Sequence, residues 1–466
     1  MKIRFDPLDY ICEATHGEVA EWDGIPEVPQ TAVLKPLQDI VDQVRVHLRQ
    51  EYGRKIAVAV IDPEMRREME RQILQYVSDE GLRIPGVPKK RLLAWIQQEI
   101  LYFGPIQTAL DDPDVSNIDI NRFCEVNLER LGEEEYHPEM CFKDEVHLEV
   151  IINKMLMADG KALTANEPHI DSLFEKYRIC AVLGTARGGI ATEGTCASIR
   201  KFSDDTMSPE DLVRSGTMSP EMDEFFRQVL PSCNCIIAGA TNSGKTTTLM
   251  ALPLYFDPGT RIITIEDSPE MMLRRRSRYQ DYHNIIALQT KDHDNKEKRY
   301  DIARLTKVSL RMRPVKILIG EVRDAQACRQ AHEGMNTGHS TYFTIHASSA
   351  RNAAVRVVQL AGDGGNDEVI ASQLADTVDL IIFQQKRRKS RVISEVAELT
   401  GFEGARRPLC RTLFQFEQQG VTPEGYVTGI HRRISGISEI LAEKLAQALV
   451  PDQQILRWAG PPDLYE

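Results

Sequence analysis

The chain is predicted to be an α/β protein, with a parallel-sheet C-terminal domain preceded by a smaller α+β domain and an N-terminal helical unit. Three observations carry the prediction. From Ser208 onward, apolar runs of strand length alternate with helical periodicity, the order that builds a parallel sheet. The first run, Asn234–Ala238, leads into Gly239-Ala240-Thr241-Asn242-Ser243-Gly244-Lys245-Thr246-Thr247 and then into helix formers. That is the strand, loop and helix order of a phosphate-binding G-x-x-x-x-G-K-T loop. Upstream, Val115–Ile120 alternates like a half-buried strand among helical segments, whereas the first 89 residues show helical spacing at most.

Taken in order, residues 1–35 hold Pro7, Pro26 and Pro29 without periodicity and read as an irregular lead-in. Helices are predicted over Pro36–Tyr52, with Pro36 at the first position, over Pro63–Val77 and over Lys89–Tyr102. Turns at Gly104-Pro105 and Asp111–Pro113 precede a hairpin, Val115–Ile120 with Cys124–Arg130. A helix follows over Asp144–Met157 with Asp144 near its N-cap, then strands at Tyr177–Leu183 and Cys196–Phe202. Asp204–Pro209 reads as a polar linker, so the domains are 1–89, 90–205 and 206–466. Beyond the loop, Arg261–Asp267, Lys316–Glu321 and Thr341–His346 are strand runs ending in polar residues. Asp379–Arg387 and Val392–Leu399 form a closing pair, followed by a hairpin at Phe414–Glu417 with Tyr426–Gly429 and a helix over Ile437–Leu449.

Composition narrows the function. A net charge of −12 argues against a general nucleic-acid binder, so no nucleic acid is expected as partner. No apolar run approaches a membrane span, and the start lacks the apolar core of a signal peptide. Nine cysteines at scattered spacings give no disulfide framework, and Cys233-x-Cys235 reads as core packing in a buried strand. A reduced, cytoplasmic protein is expected.

The loop predicts a nucleoside triphosphate ligand, ATP or GTP, with Mg²⁺. Gly239 and Gly244 leave no Cβ between backbone and phosphate. Lys245 suits the β- and γ-phosphates, and the Thr246 hydroxyl suits Mg²⁺. Residues just past strand C-termini converge on the ligand crevice of an open sheet, which selects Glu266, Asp267, Glu321 and His346. Glu321 stands where a Walker B acid stands. Either ligation of Mg²⁺ through water or orientation of the attacking water fits it. Glu266, Asp267 and Glu270 cluster after another strand, as candidate Mg²⁺ positioners or base or as a solvated turn. Arg178 and Arg200 precede the loop domain and fit arginine fingers or surface ion pairs. Arg274–Arg278 and Lys386–Lys389 are basic runs, read as solvated faces or as contacts for acidic lipids or an acidic tail.

Together these motifs resemble one family. Gly239–Thr247, Ile265–Glu270, Ser309–Pro314, Ile319–Arg323, Met335–His339 and Thr344–Ala347 are similar, in order, to the Walker A, Asp box, Leu-Arg-Met-Arg-Pro, Walker B and His box motifs of type II and type IV secretion ATPases. Gly104-Pro105, Asp114–Asn121, Pro168–Asp171, Arg178, Ser198–Phe202 and Gly216–Ser219 also match. Leu413–Glu417 and Gly425-x₃-Gly429 resemble the CpaF-like ATPases of Tad/Flp pili, while the His-box spacing is closer to pilus retraction ATPases. The resemblance covers about residue 90 to 450. It implies a RecA-like P-loop domain and a homohexamer, with ATP between that domain and the one before it. The ring would be cytoplasmic, peripheral to the inner membrane, on an inner-membrane platform protein, and would power pilin or substrate export. It further implies catalysis by Glu321 and Glu270, nucleotide sensing by His339 and His346, phosphate contacts from Arg178 and Arg200, and metal contacts from Thr246, Glu266 and Glu321. A conjugation or effector-export ATPase, and a nucleotide-gated docking protein with little turnover, remain as alternatives.

Overall fold

The computed structural model describes residues 30–461, apart from 54, 60–61, 139, 175, 203–205, 292, 294, 296 and 363–365. The chain forms two compact units, Met1–Ser203 and Asp204–Glu466. Residues 1–29 of the expected lead-in and the Asp204-Asp205 part of the expected linker lie outside the described residues, whereas residues 30–35, expected to be irregular, belong to the first helix.

The first unit begins with four helices: α1 (Gln30–Tyr52), α2 (Lys55–Ala59), α3 (Pro63–Asp79) and α4 (Lys89–Ile100). Pro36 lies inside α1 and not at its first position. Its fixed φ is already helical, so the chain continues through it at the loss of one backbone hydrogen bond. Asp62 caps α3, its carboxylate accepting the Glu64 and Met65 amides. Val41, Val44, Leu48, Met69, Ile73, Val77, Leu92 and Ile96 converge into one helical core. A turn of 3₁₀ helix at Gly104–Ile106 and α5 (Gln107–Asp111) lead into β1 (Val115–Arg122), β2 (Glu125–Arg130) and β3 (Glu133–Tyr136). Then come α6 (Glu145–Leu156), β4 (His169–Phe174), β5 (Tyr177–Val182) and β6 (Cys196–Lys201). The six strands form an antiparallel sheet ordered β3-β2-β1-β6-β5-β4. Sequence reading misses β3 and β4; β3 is exposed throughout and carries no apolar alternation. Lys154 of α6 donates to the Ile100 carbonyl at 2.7 Å, and burial brings its pKa down to about 7.

The second unit opens with α7 (Pro209–Arg214) and α8 (Pro220–Val229). Ser208, expected in a linker, is instead the N-cap of α7 in a reciprocal capping box with Asp211. The order is then β7 (Cys235–Gly239), α9 (Lys245–Ala251), β8 (Ile262–Glu266), β9 (Ile285–Gln289), α10 (Ile302–Ser309) and β10 (Lys316–Ile319). It continues with α11 (Ala325–Asn336), β11 (Ser340–His346), α12 (Ala350–Ala361) and α13 (Asp367–Thr377). β12 (Leu380–Arg387), β13 (Ser390–Phe402), β14 (Pro408–Val421), β15 (Val427–Arg433), α14 (Glu439–Gln447) and α15 (Asp452–Ala459) complete the unit.

Its sheet runs β15-β14-β13-β12-β7-β11-β10-β8-β9, parallel from β12 to β9 and antiparallel from β12 to β15. β7 is central and buried along its length. Cys235 and Ile237 enter the core on one face, Ile236 and Ala238 the core on the other. This two-sided burial explains the continuous apolar run in the sequence. Truncating Ile236 to Ala would cost about 2–5 kcal/mol.

Candidate functional site

Strand β7 delivers the loop. A Cβ on Gly239 would lie 2.3 Å from the Gln384 carbonyl oxygen and 2.6 Å from Ser243 Oγ, so only glycine fits against β12 there. The chain turns back through left-handed backbone at Asn242 (φ 60°) and Gly244 (φ 92°). Ser243 Oγ ties the loop by donating to the Ala240 carbonyl at 2.8 Å, while Thr241 and Asn242 stay exposed at the tip. Thr246 and Thr247 are half-buried in the first turn of α9. Lys245, 7% exposed, folds over the loop and donates to the Gly239 and Ala240 carbonyls at 3.1 and 2.8 Å. Burial lowers its pKa, and the Glu321 charge offsets only part of that.

Parallel register brings the remaining groups to this loop. His346, the last residue of β11, is level with Gly239. Its Nδ1 is 3.5 Å from Lys245 Nζ, and its Nε2 is 2.9 Å from Glu321 Oε1. Glu321 lies just past β10, on the far side of β11 from the loop. Arg323 donates to Glu321 Oε2 at 2.7 Å and stands 3.9 Å from Asp267. Burial pushes the Glu321 carboxyl up, but Arg323, with His346 and Lys245, outweighs this and holds it below the usual carboxylate range. The result is a chain of four groups, Lys245–His346–Glu321–Arg323, with an ionised carboxylate in the middle. Glu270 lies on the turn after β8, and its charge reaches both Arg323 and Glu266.

Two expected site residues need correction. Glu266, expected at the metal, is 4% exposed and accepts the backbone amides of Glu270 and Met271 at 3.1 and 2.8 Å. Burial raises its pKa to about 8 despite those hydrogen bonds, so it is a neutral anchor for the turn that holds Glu270. His339 precedes β11 whereas His346 ends it, which puts them roughly 20 Å apart along the strand. His339 instead meets the Thr337 hydroxyl at 3.1 Å, at the sheet end away from the loop. Among the described residues no cluster of three or more His, Cys, Asp or Glu is arranged to hold a metal ion. In the first unit, Arg178 and Arg200 are cross-strand partners on β5 and β6, and Arg178 donates to Asp171 at 3.2 and 2.7 Å.

The profile of the type II/IV secretion system protein family matches residues 189–455, more than half of the chain. The chain belongs to that family. It is similar to an uncharacterized protein of Methanocaldococcus jannaschii, 25% identical over 380 residues that make up 80% of this chain and 64% of that protein. It is also similar to the conjugal transfer protein TrbB of Rhizobium radiobacter, 30% identical over 214 residues, 45% of this chain and 62% of that one. The chain thus spans slightly under two thirds of the length of these two curated relatives. Among solved structures it resembles the Legionella pneumophila ATPase DotB, with 18% identity and a TM-score of 0.48 over 75% of this chain and 84% of that one. The RecA-like P-loop fold of this family accounts for the loop, the acid beyond β10 and the histidine at the end of β11 in one sheet. Sequence reasoning missed Arg323 and Gln384 as site residues. Arg323 sits inside a quoted motif, two residues after Glu321, so its signal was present. Gln384, 1% exposed, accepts the Thr248 hydroxyl at 2.7 Å behind the loop. A glutamine in an apolar run gives no hint of that partner.

Proposed function

We propose that the chain hydrolyses ATP and works as a hexameric motor at the cytoplasmic face of an inner-membrane platform protein, driving export of pilin in a Tad/Flp-type pilus. The observation that supports this most is the chain from Lys245 through His346 and Glu321 to Arg323. It joins a phosphate-binding cation to an ionised carboxylate that follows β10, two strands from the loop's own strand. Lys245 exchanges its two loop carbonyls for phosphate oxygens when nucleotide enters. Glu321, held ionised by Arg323, orients the attacking water, with Glu270 as the second acid. His346 touches both Lys245 and Glu321 and so senses whether the phosphate is present. Mg²⁺, when bound, neutralises phosphate charge, and Thr246 would hold it with Glu321 acting through water. Arg178 and Arg200, side by side on their sheet, supply further cations across a subunit boundary.

Among the described residues no helix is long and apolar enough to cross a membrane. The relative named for conjugal transfer favours a second reading, a type IV secretion ATPase with the same hydrolysis and a different cargo. The motor is tested by steady-state ATPase rate against protein concentration, with light scattering on the same samples. Specific activity should rise as hexamers form. Full activity in the monomer would remove the shared site and the arginine roles. In mixed rings, Arg200→Ala should be partly rescued by Lys245→Ala subunits; no rescue would count against action across the boundary.

A further inference from the structure

The hairpin of β12 and β13 stands beside the phosphate loop and carries two cations that the site described above does not use. Lys386 on β12 is the direct cross-strand partner of Arg391 on β13. Their Cβ atoms are therefore about 5 Å apart on one face of the sheet, where like charges repel. Both are exposed, and among the described residues no carboxylate, hydrogen-bond acceptor or aromatic ring engages either one. Other cations of the same hairpins do have partners: Arg387 donates to Gln385 and Gln418 and lies over Phe416, and Arg432 donates to Glu417.

The face that carries the pair is fixed by its neighbours. Gln384, two residues before Lys386, bonds Thr248 of α9. Arg391 packs its stem against the loop itself, since a Cβ on Gly244 would lie 3.1 Å from Arg391 Cδ and 2.8 Å from Gln384 Nε2. A repelling pair in a chain of net charge −12 thus abuts the second glycine of a phosphate loop. A bound polyanion relieves the repulsion, and a guanidinium fork suits phosphate oxygens.

We infer that Lys386 and Arg391 form a second cationic contact for the phosphates of the nucleotide bound at the Gly239–Thr247 loop. The inference rests on the nucleotide-binding reading and adds the hairpin to that site. The pair would bind phosphate with the same weight in ATP and ADP, since it flanks the loop and not the Glu321 side of the site. It therefore sets affinity more than turnover.

The test is equilibrium titration of ATP, ADP and adenosine into the full chain, as wild type, Lys386→Gln, Arg391→Gln and the double variant. Each single change should weaken ATP and ADP about tenfold, which corresponds to about 1.4 kcal/mol. Adenosine binding should be unaltered, and kcat should stay within about twofold while KM rises. Without nucleotide, the melting temperature should hold or rise, because a like-charge pair has been removed. Arg391→Lys, which keeps the charge and loses the fork, should weaken ATP and ADP less than Arg391→Gln does. Unchanged ATP affinity in the double variant, with binding lost in Lys245→Ala, would overturn the inference and leave the nucleotide reading standing. Equal weakening of adenosine and ATP would also overturn it, since the contact would then be to the nucleoside. A lower melting temperature in the nucleotide-free variants would overturn it in favour of a structural role. A wild type that binds no ATP would overturn both readings together.

Discussion

The large sheet buries charge at both ends, and the two ends are finished differently. At the N-terminal ends of its parallel strands, Asp379 accepts two contacts from Lys444, at 2.8 and 2.6 Å, and one from the Asn234 amide at 2.6 Å. The Asn234 side chain donates to the Thr377 carbonyl and accepts the Thr341 amide. Lys316, brought to a pKa of about 8 by burial, donates to the Pro231 carbonyl and to Ser340. Each charge there has a protein partner, and the network ties α14 to β7, β11 and β12. At the loop end, Lys245 rests on two carbonyls with no carboxylate in ion-pair distance among the described residues, and Lys386 faces Arg391. Buried or crowded charge that the protein completes is structural. Lys316 has no counter-charge either, but it is enclosed between its two acceptors and the Phe256 and Tyr342 rings, whereas Lys245 lies under a loop with an exposed tip, where a ligand completes the site.

The comparison breaks first if the loop end is also structural. Glu321→Ala should lower ATP turnover about 10²–10³-fold, the usual effect of removing one aligned group in a transition state. Nucleotide affinity and melting temperature should stay near wild type, measured by calorimetric titration and thermal scan. A variant that turns over normally, or melts early, would put Glu321 in the scaffold. At the other end the effects should swap. Asp379→Ala leaves Lys444 without its partner and should cost about 2–3 kcal/mol of stability in denaturant unfolding. That is at the low end for a broken buried pair, because the Lys444 side chain is 37% exposed. The affinity of whatever Asp379→Ala protein remains folded should match wild type.

A smaller effect sharpens the contrast within the loop end. The Glu266 carboxyl is raised in the folded state to about 8 from an ordinary 4.5. The folded protein therefore holds a proton that the unfolded chain has released. Its contribution to stability is complete below the unfolded pKa and is lost as pH rises through about 8. Glu266→Gln should remove that slope, so that its melting temperature falls less than that of wild type between pH 6 and pH 9. Parallel curves for the two proteins would mean that Glu266 is ionised and available to a metal after all.

Much of this site was legible because an open parallel sheet converts order along the chain into position in space. The apolar runs that end in Glu321 and His346 are strands beside the loop, and parallel register brings those two residues together with Lys245. The failures have physical causes. Ile262–Glu266 is buried on both faces, so two-residue periodicity carried no information about where Glu266 points. His339 and His346 looked like one motif, but a strand lies between them and extension separates its ends. β9 hides at the sheet edge, half-exposed after a basic run. That run is exposed as expected at Arg274, Arg275 and Arg278, but Arg276 is buried and donates to the Met271 and Glu270 carbonyls. Lys386 and Arg391 were visible as basic residues, but only hairpin register makes them a pair.

The most direct test of the central claim, that the loop end is built for a nucleotide and the opposite end for the fold, is calorimetric titration of ATP into the full chain and its Lys245→Ala variant. Saturable binding by the wild type, weakened at least 100-fold in a variant that melts at the wild-type temperature or above, is the predicted result. Equal affinity in the two proteins, or a variant that unfolds, would contradict it.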